Sequence, residues 1–172
     1  MTLDGICDHT AGIADNEIHF HYAELLRTAG VILFGRITYQ LMEGWRSVLK
    51  NPTGNKAMDD FAVMIDKLPK VVFSRTLKRV DWDSAALAKR DIKEEILALK
   101  QEPGKDILIG SRSVIIEAMN LHLVDEFQLC IHPVIAGSGL PLFNNSHKGG
   151  LKLIDVKTFA CSAVTLYYEP VN

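Results

Sequence analysis

The stretch that decides the fold is Lys105-Asp-Ile-Leu-Ile-Gly-Ser-Arg-Ser-Val-Ile-Ile-Glu-Ala-Met119. Its apolar run, 107–109, lies between Gly104 and Gly110 and predicts a short buried strand. From Val114 onward, apolar residues return at helical spacing, so the pattern predicts a strand, a glycine turn and then a helix. The backbone N–H groups at the start of such a helix suit a phosphate. An ordinary strand-to-helix turn with a serine N-cap is the simpler interpretation, because one glycine is not a G-x-G-x-x-G motif.

The composition is that of a globular protein. A chain of 172 residues predicts a single domain over residues 1–172, and its net charge of −2 gives no reason to expect nucleic acid or an anionic membrane as a partner. The sequence has no apolar run long enough to span a bilayer, and its start does not read as a signal peptide. Its cysteines, Cys7, Cys130 and Cys161, have neither zinc spacing nor a disulfide pattern. Packing thiols in the reducing cytoplasm are therefore expected.

The histidines raise the question of a metal. His19 and His21 lie two apart on a predicted helix and face different ways, and His9 lies in the preceding loop. This spacing is poor for a metal site, so we predict surface histidines and no bound metal.

Buried strands and amphipathic helices alternate through the first two thirds of the chain. The predicted strands are 31–34, 70–74, 85–88 and 107–109, and helices start near 15, 36, 55, 91 and 112. This order predicts an α/β fold with a mostly parallel central sheet. The last third alternates apolar and polar residues in 126–134, 151–159 and 163–168 and predicts antiparallel strands, the last two forming a hairpin.

Polar residues follow three of the predicted strands. They are Gly35-Arg36-x-Thr38, Ser74-Arg75-Thr76 and Gly110-Ser111-Arg112-Ser113. In an open α/β sheet, ligands bind beyond the carboxyl ends of the strands, so the three groups are expected to meet on one ligand with several phosphates. The alternative is that the arginines are ordinary surface arginines, solvated or paired with carboxylates.

Several motifs along the whole chain then resemble a known family. They are Thr2-Leu-Asp-Gly5, Gly35-Arg-Ile-Thr-Tyr39, Val72-Phe-Ser-Arg-Thr76, Pro103-Gly-Lys-Asp-Ile-Leu-Ile-Gly110, Leu123-Val-Asp-Glu126 and His132-Pro-Val-Ile-Ala-Gly-Ser-Gly-Leu-Pro-Leu-Phe143. Together they resemble the dihydrofolate-reductase-like family that includes the reductase domain of bacterial riboflavin biosynthesis. The resemblance implies a central, mostly parallel sheet, NADPH as cofactor and often a homodimer.

The resemblance also implies roles for individual residues. Gly35, Arg36 and Thr38 would contact the pyrophosphate of NADPH, as would Gly110, Ser111, Arg112 and Ser113 at the start of a helix. Ser74, Arg75 and Thr76 would hold the adenosine ribose and its 2′-phosphate. The loop from Asp4 to Gly12 would border the nicotinamide and the substrate.

Two departures from the family pattern stand out. Gly110-Ser111 replaces the two glycines that the family usually has, so a Cβ stands where the backbone approaches the pyrophosphate. The family also has a strand before its Leu-Asp-Gly motif, whereas this chain starts at Met1, so we expect the N-terminal strand of the sheet to be missing.

Two functions follow as hypotheses. The first is an NADPH-dependent reductase of a small heterocycle, pterin-like or a ribosylated pyrimidine, with Asp4 as the candidate for substrate contact or proton relay. A turn-forming aspartate before Gly5 is an equally good interpretation of Asp4. The second is a non-catalytic nucleotide-binding or structural dimer with the same fold.

Three expectations are directly testable. Arg75 should give a preference for NADPH over NADH. Gly110→Val should abolish dinucleotide binding in a protein that stays folded. The apolar stripes of 127–131 and 164–168 should take part in a homodimer.

Overall fold

The computed structural model describes residues 1–143 and 149–171. The chain divides into two compact units, one comprising 18–121 and the other combining 1–17 with the described part of 122–172. A single domain over residues 1–172 stays a prediction.

The unit of residues 18–121 contains a parallel sheet. Its strands are β1 (Val31–Gly35), β2 (Lys70–Phe73), β3 (Ala85–Leu87) and β4 (Ile107–Ile109). They lie in the order β3-β2-β1-β4, and every neighbouring pair is parallel. All five residues of β1 are buried, as expected of a central strand covered on both faces. The predicted α/β fold with a parallel sheet is confirmed.

Helices connect these strands. They are α1 (Asn16–Thr28), α2 (Arg36–Met42), α3 (Arg46–Lys50), α4 (Lys56–Lys67), α5 (Ile92–Gln101) and α6 (Arg112–Asn120), with a 3₁₀ turn at Glu43–Trp45. Asn55 caps α4 by accepting N–H bonds from its first turn, and Asp91 caps α5 in the same way. None of the helices in the described part of the chain is long and apolar enough to cross a membrane.

The core of this unit packs the helices against β1 and β2. Phe34, Val72, Ile65 and Trp82 are buried in one cluster. Lys70 is buried on the same side of β2 as Val72, and its ammonium group donates hydrogen bonds to backbone oxygens at the end of α4.

The other unit contains an antiparallel sheet of β5 (Phe127–Ile131), β6 (Gly150–Thr158) and β7 (Val164–Val171). The strand order is β5-β7-β6, so the predicted hairpin of the last two strands is confirmed. Ser162 adopts a positive φ of 65° in its turn. Within the described residues, the parallel and antiparallel strands form two separate sheets rather than one mixed sheet.

The N-terminal residues lie against residues 132–141, which follow β5. Thr2 forms a parallel bridge with His132, and Ile6 forms an antiparallel bridge with Pro141. The amino group of Met1 donates to the carbonyl oxygen of Cys130 at 2.8 Å. These contacts hold the Leu-Asp-Gly motif beside residues 132–141.

Candidate functional site

The carboxyl edge of the parallel sheet is the candidate cofactor site. From β1 the chain continues to β2 and β3 on one side, whereas the later strand β4 lies on the other side of β1. The strand order therefore reverses between β1 and β4, and ligands of open α/β sheets bind at such a switch point. The polar groups identified in the sequence follow β1, β2 and β4, so the three lie at neighbouring strand ends, as predicted.

Ser111 joins two of these strand ends. Its hydroxyl oxygen accepts the backbone N–H of Gly35 at 2.8 Å, and the residue is 2% exposed. The bond links the turn after β1 to the turn after β4. Ser111 occupies the N-cap position of α6, yet within the described residues its side chain makes no capping bond to the helix. The first-turn N–H groups of α6 are thus not occupied by the cap side chain, and their partial positive charge suits an anion.

Gly110 has a packing role that sequence reasoning missed. A Cβ on this residue would lie 2.6 Å from Cε1 of Phe34 and 3.2 Å from Cδ1 of Ile32. Phe34 is 2% exposed and belongs to the packed core cluster of this unit. This contact counts against the expectation that Gly110→Val leaves the protein folded, because valine at this position would overpack the core. The expectation stays a prediction.

The turn after β1 is also close-packed, although less tightly than Gly110. A Cβ on Gly35 would lie 3.1 Å from the hydroxyl oxygen of Ser113, which is itself exposed at the start of α6. Arg36 is exposed and donates to Oε1 of Gln40 at 3.1 Å, while Thr38 is half-buried. The guanidinium group of Arg36 therefore lies on the solvent side of this edge, where an anionic ligand can reach it.

The loop after β2 is organised by Ser74. The hydroxyl oxygen of Ser74 accepts the backbone N–H of Thr76 at 3.2 Å and that of Leu77 at 2.9 Å. This local turn leaves the side chains of Arg75 and Thr76 exposed. Ser74 can still donate its own proton, so the loop offers two hydroxyl groups and one guanidinium group.

The dimensions of this edge fit a dinucleotide. Neighbouring strands are about 4.8 Å apart, so the ends of β2, β1 and β4 span about 10 Å. Over that span the chain presents the exposed arginines 36 and 75, the hydroxyl groups and the first turn of α6, with Arg112 half-buried beside it. Such a donor set fits a ligand with several phosphates. The contacts of each residue with a cofactor stay predictions.

Asp4 is held by three hydrogen bonds within its own unit. Its carboxylate accepts Thr2 Oγ1–H at 2.6 Å and the backbone N–H groups of Ala136 and Gly137 at 3.1 and 2.8 Å. These donors, above all the Thr2 hydroxyl, lower the pKa of Asp4 to about 2. The carboxylate is therefore ionised at neutral pH and clamps the turn at Gly137, whose φ is 72°. A group with this pKa is a poor proton donor, and the catalytic role of Asp4 stays a prediction.

His132 was not singled out from the sequence, although it begins one of the motifs. Its Nδ1 accepts the backbone N–H of Ile13 at 3.2 Å, and Nε2 lies 3.8 Å from Sγ of Cys130. Burial lowers the pKa of His132, and the nearby N-terminal ammonium group lowers it further. Because Nδ1 accepts a hydrogen bond, the neutral ring carries its proton on Nε2. Its place at the start of the motif 132–143, directly after the alternating pattern of β5, was the available signal.

The two histidines of α1 have packing roles. His19 packs edge-on against Trp45 and Phe61, at ring-centroid distances of 5.8 and 6.2 Å, and His21 packs against Tyr22 at 5.3 Å. Both are half-buried rather than on the surface as predicted. Residues 1–143 and 149–171 contain no group of three or more His, Cys, Asp or Glu placed to hold a metal ion. The absence of a metal stays a prediction.

Known proteins share this fold and sequence pattern. YyaP, an uncharacterized protein of Bacillus subtilis, is 34% identical over 174 residues, which span 98% of this chain and 90% of YyaP. A protein from Shewanella sp. PV-4 named for riboflavin biosynthesis has a TM-score of 0.72 at 18% identity, over 99% of this chain and 95% of that one.

A third match is a bifunctional enzyme. The diaminohydroxyphosphoribosylaminopyrimidine deaminase/5-amino-6-(5-phosphoribosylamino)uracil reductase of Thermotoga maritima has a TM-score of 0.64 at 18% identity, over 99% of this chain and 54% of that one. The structural matches show the shared fold. The model of the RibD C-terminal domain family matches residues 1–167. The chain therefore belongs to the RibD C-terminal domain family, which has a reductase-like fold.

Proposed function

We propose that the protein is an NADPH-dependent reductase of a small heterocyclic substrate, pterin-like or a ribosylated pyrimidine. The observation that carries the proposal is the meeting of three phosphate-suited groups at the carboxyl edge of the parallel sheet, across its switch point. Family membership supports a reductase, since the Thermotoga match is named as the reductase of a uracil that carries a phosphoribosylamino group. The composition and family also suit the cytoplasm, which stays part of the proposal.

Different residues of the chain would bind different parts of the cofactor. The first turn of α6, Ser113 and Arg36 would hold the pyrophosphate, since they lie where β1 and β4 end. Arg75 and Thr76 would hold the 2′-phosphate of the adenosine ribose, because the Ser74 turn leaves both exposed. Bound NADPH would supply the hydride, and the protein would supply orientation and a proton source.

The proton source has two candidates. Asp4 is the candidate from the sequence, but its pKa of about 2 and its three hydrogen bonds favour a positioning role for the loop at 136–137. His132 lies on the same group of loops and would deliver a proton only as the imidazolium, a form that burial of the ring disfavours. Its neutral ring offers Nε2–H for a hydrogen bond to the substrate rather than for proton transfer.

Calorimetry with NADPH and NADH tests the binding part. We expect NADPH to bind more tightly, and Arg75→Ala to remove the preference by weakening NADPH binding about tenfold to a hundredfold, the loss of one charge-assisted contact. Arg27→Ala is the matched control, because Arg27 is an exposed arginine at the end of α1, which leads into the amino end of β1. Equal affinities for the two dinucleotides in the parent protein would refute the role of Arg75.

A substrate screen separates a reductase from the non-catalytic alternative. Pterins and ribosylated pyrimidines are incubated with NADPH and the protein, and loss of reduced nicotinamide absorbance is followed. We expect turnover with at least one class, and loss of turnover in Arg75→Ala at low NADPH concentration. NADPH binding without turnover of any compound would favour a nucleotide-binding protein that has lost its chemistry.

A further inference from the structure

The loops after β2 and β3 start side by side at the carboxyl edge of the parallel sheet. Val72 is paired with Leu87, and the backbone N–H of Ala88 donates to the carbonyl oxygen of Val72 at 3.0 Å. Two residues beyond this pair stand Ser74 and Lys89, at the same level of the sheet edge. Neighbouring strands are about 4.8 Å apart, so the first residues of the two loops can reach one small ligand.

Several charged side chains in these two loops already have a partner of opposite charge or a structural role. Arg79 pairs with Asp81 at 3.2 Å, and Arg90 pairs with Glu95 at 3.7 Å. The carboxylate of Asp91 caps α5, so it occupies the start of that helix. The positive charge of Arg79 and Arg90 is therefore partly compensated within the loops themselves, which makes these residues weaker candidates for binding an anion.

Arg75 and Lys89 are the exposed cations that stand next to the two strand ends. In the part of the chain that the structure describes, no hydrogen bond or ion pair engages either side chain. Lys78 is also exposed, but it lies beyond Leu77, which packs against the core cluster and separates this lysine from the strand end. Adjacent loops thus present Arg75 and Lys89 to the solvent.

We propose that Lys89 is a second residue that selects NADPH over NADH, by binding the 2′-phosphate together with Arg75. Lys89 acts at the cofactor site of the proposed function, so its role depends on NADPH being the cofactor. A phosphate monoester has a second pKa of about 6 and carries about two negative charges at neutral pH, so one arginine leaves part of its charge uncompensated. A lysine on the next loop supplies the second positive charge, and its flexible stem can cross one strand spacing.

The position of β3 favours the 2′-phosphate over the pyrophosphate as the group that Lys89 binds. The strand order β3-β2-β1-β4 places β3 on the outer side of β2. The groups assigned to the pyrophosphate, Arg36 and the first turn of α6, follow β1 and β4, and two strand spacings of about 10 Å separate β3 from β1. Lys89 therefore lies beside the end of the site where Arg75 would hold the 2′-phosphate.

Calorimetry of the full chain and its single variants with NADPH and NADH tests this role. Lys89→Met should weaken NADPH binding about tenfold, the loss of one charge-assisted contact, and leave NADH binding unchanged because NADH lacks the 2′-phosphate. Lys89→Arg should keep most of the preference, since it keeps the positive charge. Lys67→Met is the matched control, because Lys67 is exposed in the last turn of α4, which leads into the amino end of β2.

Adenosine 2′,5′-bisphosphate and adenosine 5′-monophosphate provide an independent measurement, because they differ only in the 2′-phosphate. Lys89→Met should weaken binding of the bisphosphate alone. Equal weakening of both compounds would indicate a structural role of Lys89 and overturn the proposal. If Arg75→Ala removes the NADPH preference and Lys89→Met leaves it intact, the role of Lys89 is refuted and the proposed function stands. A parent protein that does not bind NADPH would refute the proposed function, and the role of Lys89 with it.

Discussion

The buried lysine of β2 predicts an unusual dependence of stability on pH. Lys70 is 2% exposed, and its ammonium group donates to the backbone oxygen of Leu68 at 2.7 Å, to Ser84 Oγ at 2.7 Å and to the backbone oxygen of Asp66 at 3.3 Å. It also lies 4.0 Å from the ring centroid of Trp82. The two backbone acceptors are at the end of α4, where the helix dipole favours a cation.

Burial nevertheless outweighs these partners. Desolvation lowers the pKa of Lys70 from 10.5 to about 8. At 1.36 kcal/mol per pKa unit, the native state disfavours the charged form by about 3 kcal/mol relative to the unfolded chain. Between pH 8 and pH 10.5 the unfolded chain carries more protons than the folded protein, so the free energy of unfolding rises with pH in this window.

The perturbation that isolates this effect is Lys70→Met. Methionine has a similar length and no charge, so the variant lacks the titration but keeps most of the packing. Because the unfolded chain holds the proton more tightly across this range, the parent protein should gain roughly 2 to 3 kcal/mol of unfolding free energy relative to the variant between about pH 7 and about pH 10. The other titrations cancel in the comparison, including those of Tyr39 and Tyr167, whose pKa values burial raises.

Urea unfolding, followed by circular dichroism at several pH values, measures the difference. Lys89→Met is the matched control, because Lys89 is exposed and its curve should run parallel to that of the parent. If the parent and Lys70→Met differ by a constant free energy from about pH 7 to about pH 10, the lysine does not titrate in this window and the reasoning is refuted.

Three further predictions concern single residues. Ser111→Ala should lower the free energy of unfolding by about 1–3 kcal/mol, because the buried N–H of Gly35 loses its acceptor. Ser113→Ala should change the free energy of unfolding by less than about 0.5 kcal/mol. Equal effects of the two substitutions would contradict the bond between Ser111 and Gly35. Gly110→Ala should lower the free energy of unfolding by about 1–3 kcal/mol through overpacking against Phe34. Gly104→Ala is the control and should change stability little, because a Cβ there would meet open space. Thermal unfolding distinguishes the two variants. The folded-state pKa of Asp4 is about 2, below its ordinary 3.8, so the carboxylate adds stability above pH 3.8 that is lost as the pH falls toward 2. Acid unfolding of Asp4→Asn should therefore lack this loss of stability.

The sequence by itself determined the class of fold and the location of the candidate site. The short apolar runs at 31–34, 71–73 and 107–109, each too short for a helix of its own, indicate covered strands, and the helices between them favour parallel connections. The carboxyl ends of parallel strands share one edge, so the residues from Gly35, Ser74 and Gly110 onward had to come together. These conclusions depend on periodicity and connectivity, which are local properties of the chain.

Only the tertiary structure decided what the individual polar residues do. Ser111 bonds to Gly35 rather than capping its own helix, Gly110 is required by the ring of Phe34, and Asp4 clamps the turn at Gly137. Lys70 follows a strand pattern, yet its burial depends on the end of α4 lying beside it. In each case the partner is distant in the chain or on a neighbouring element, and a hydrogen bond or a close contact depends on distances that sequence spacing does not contain.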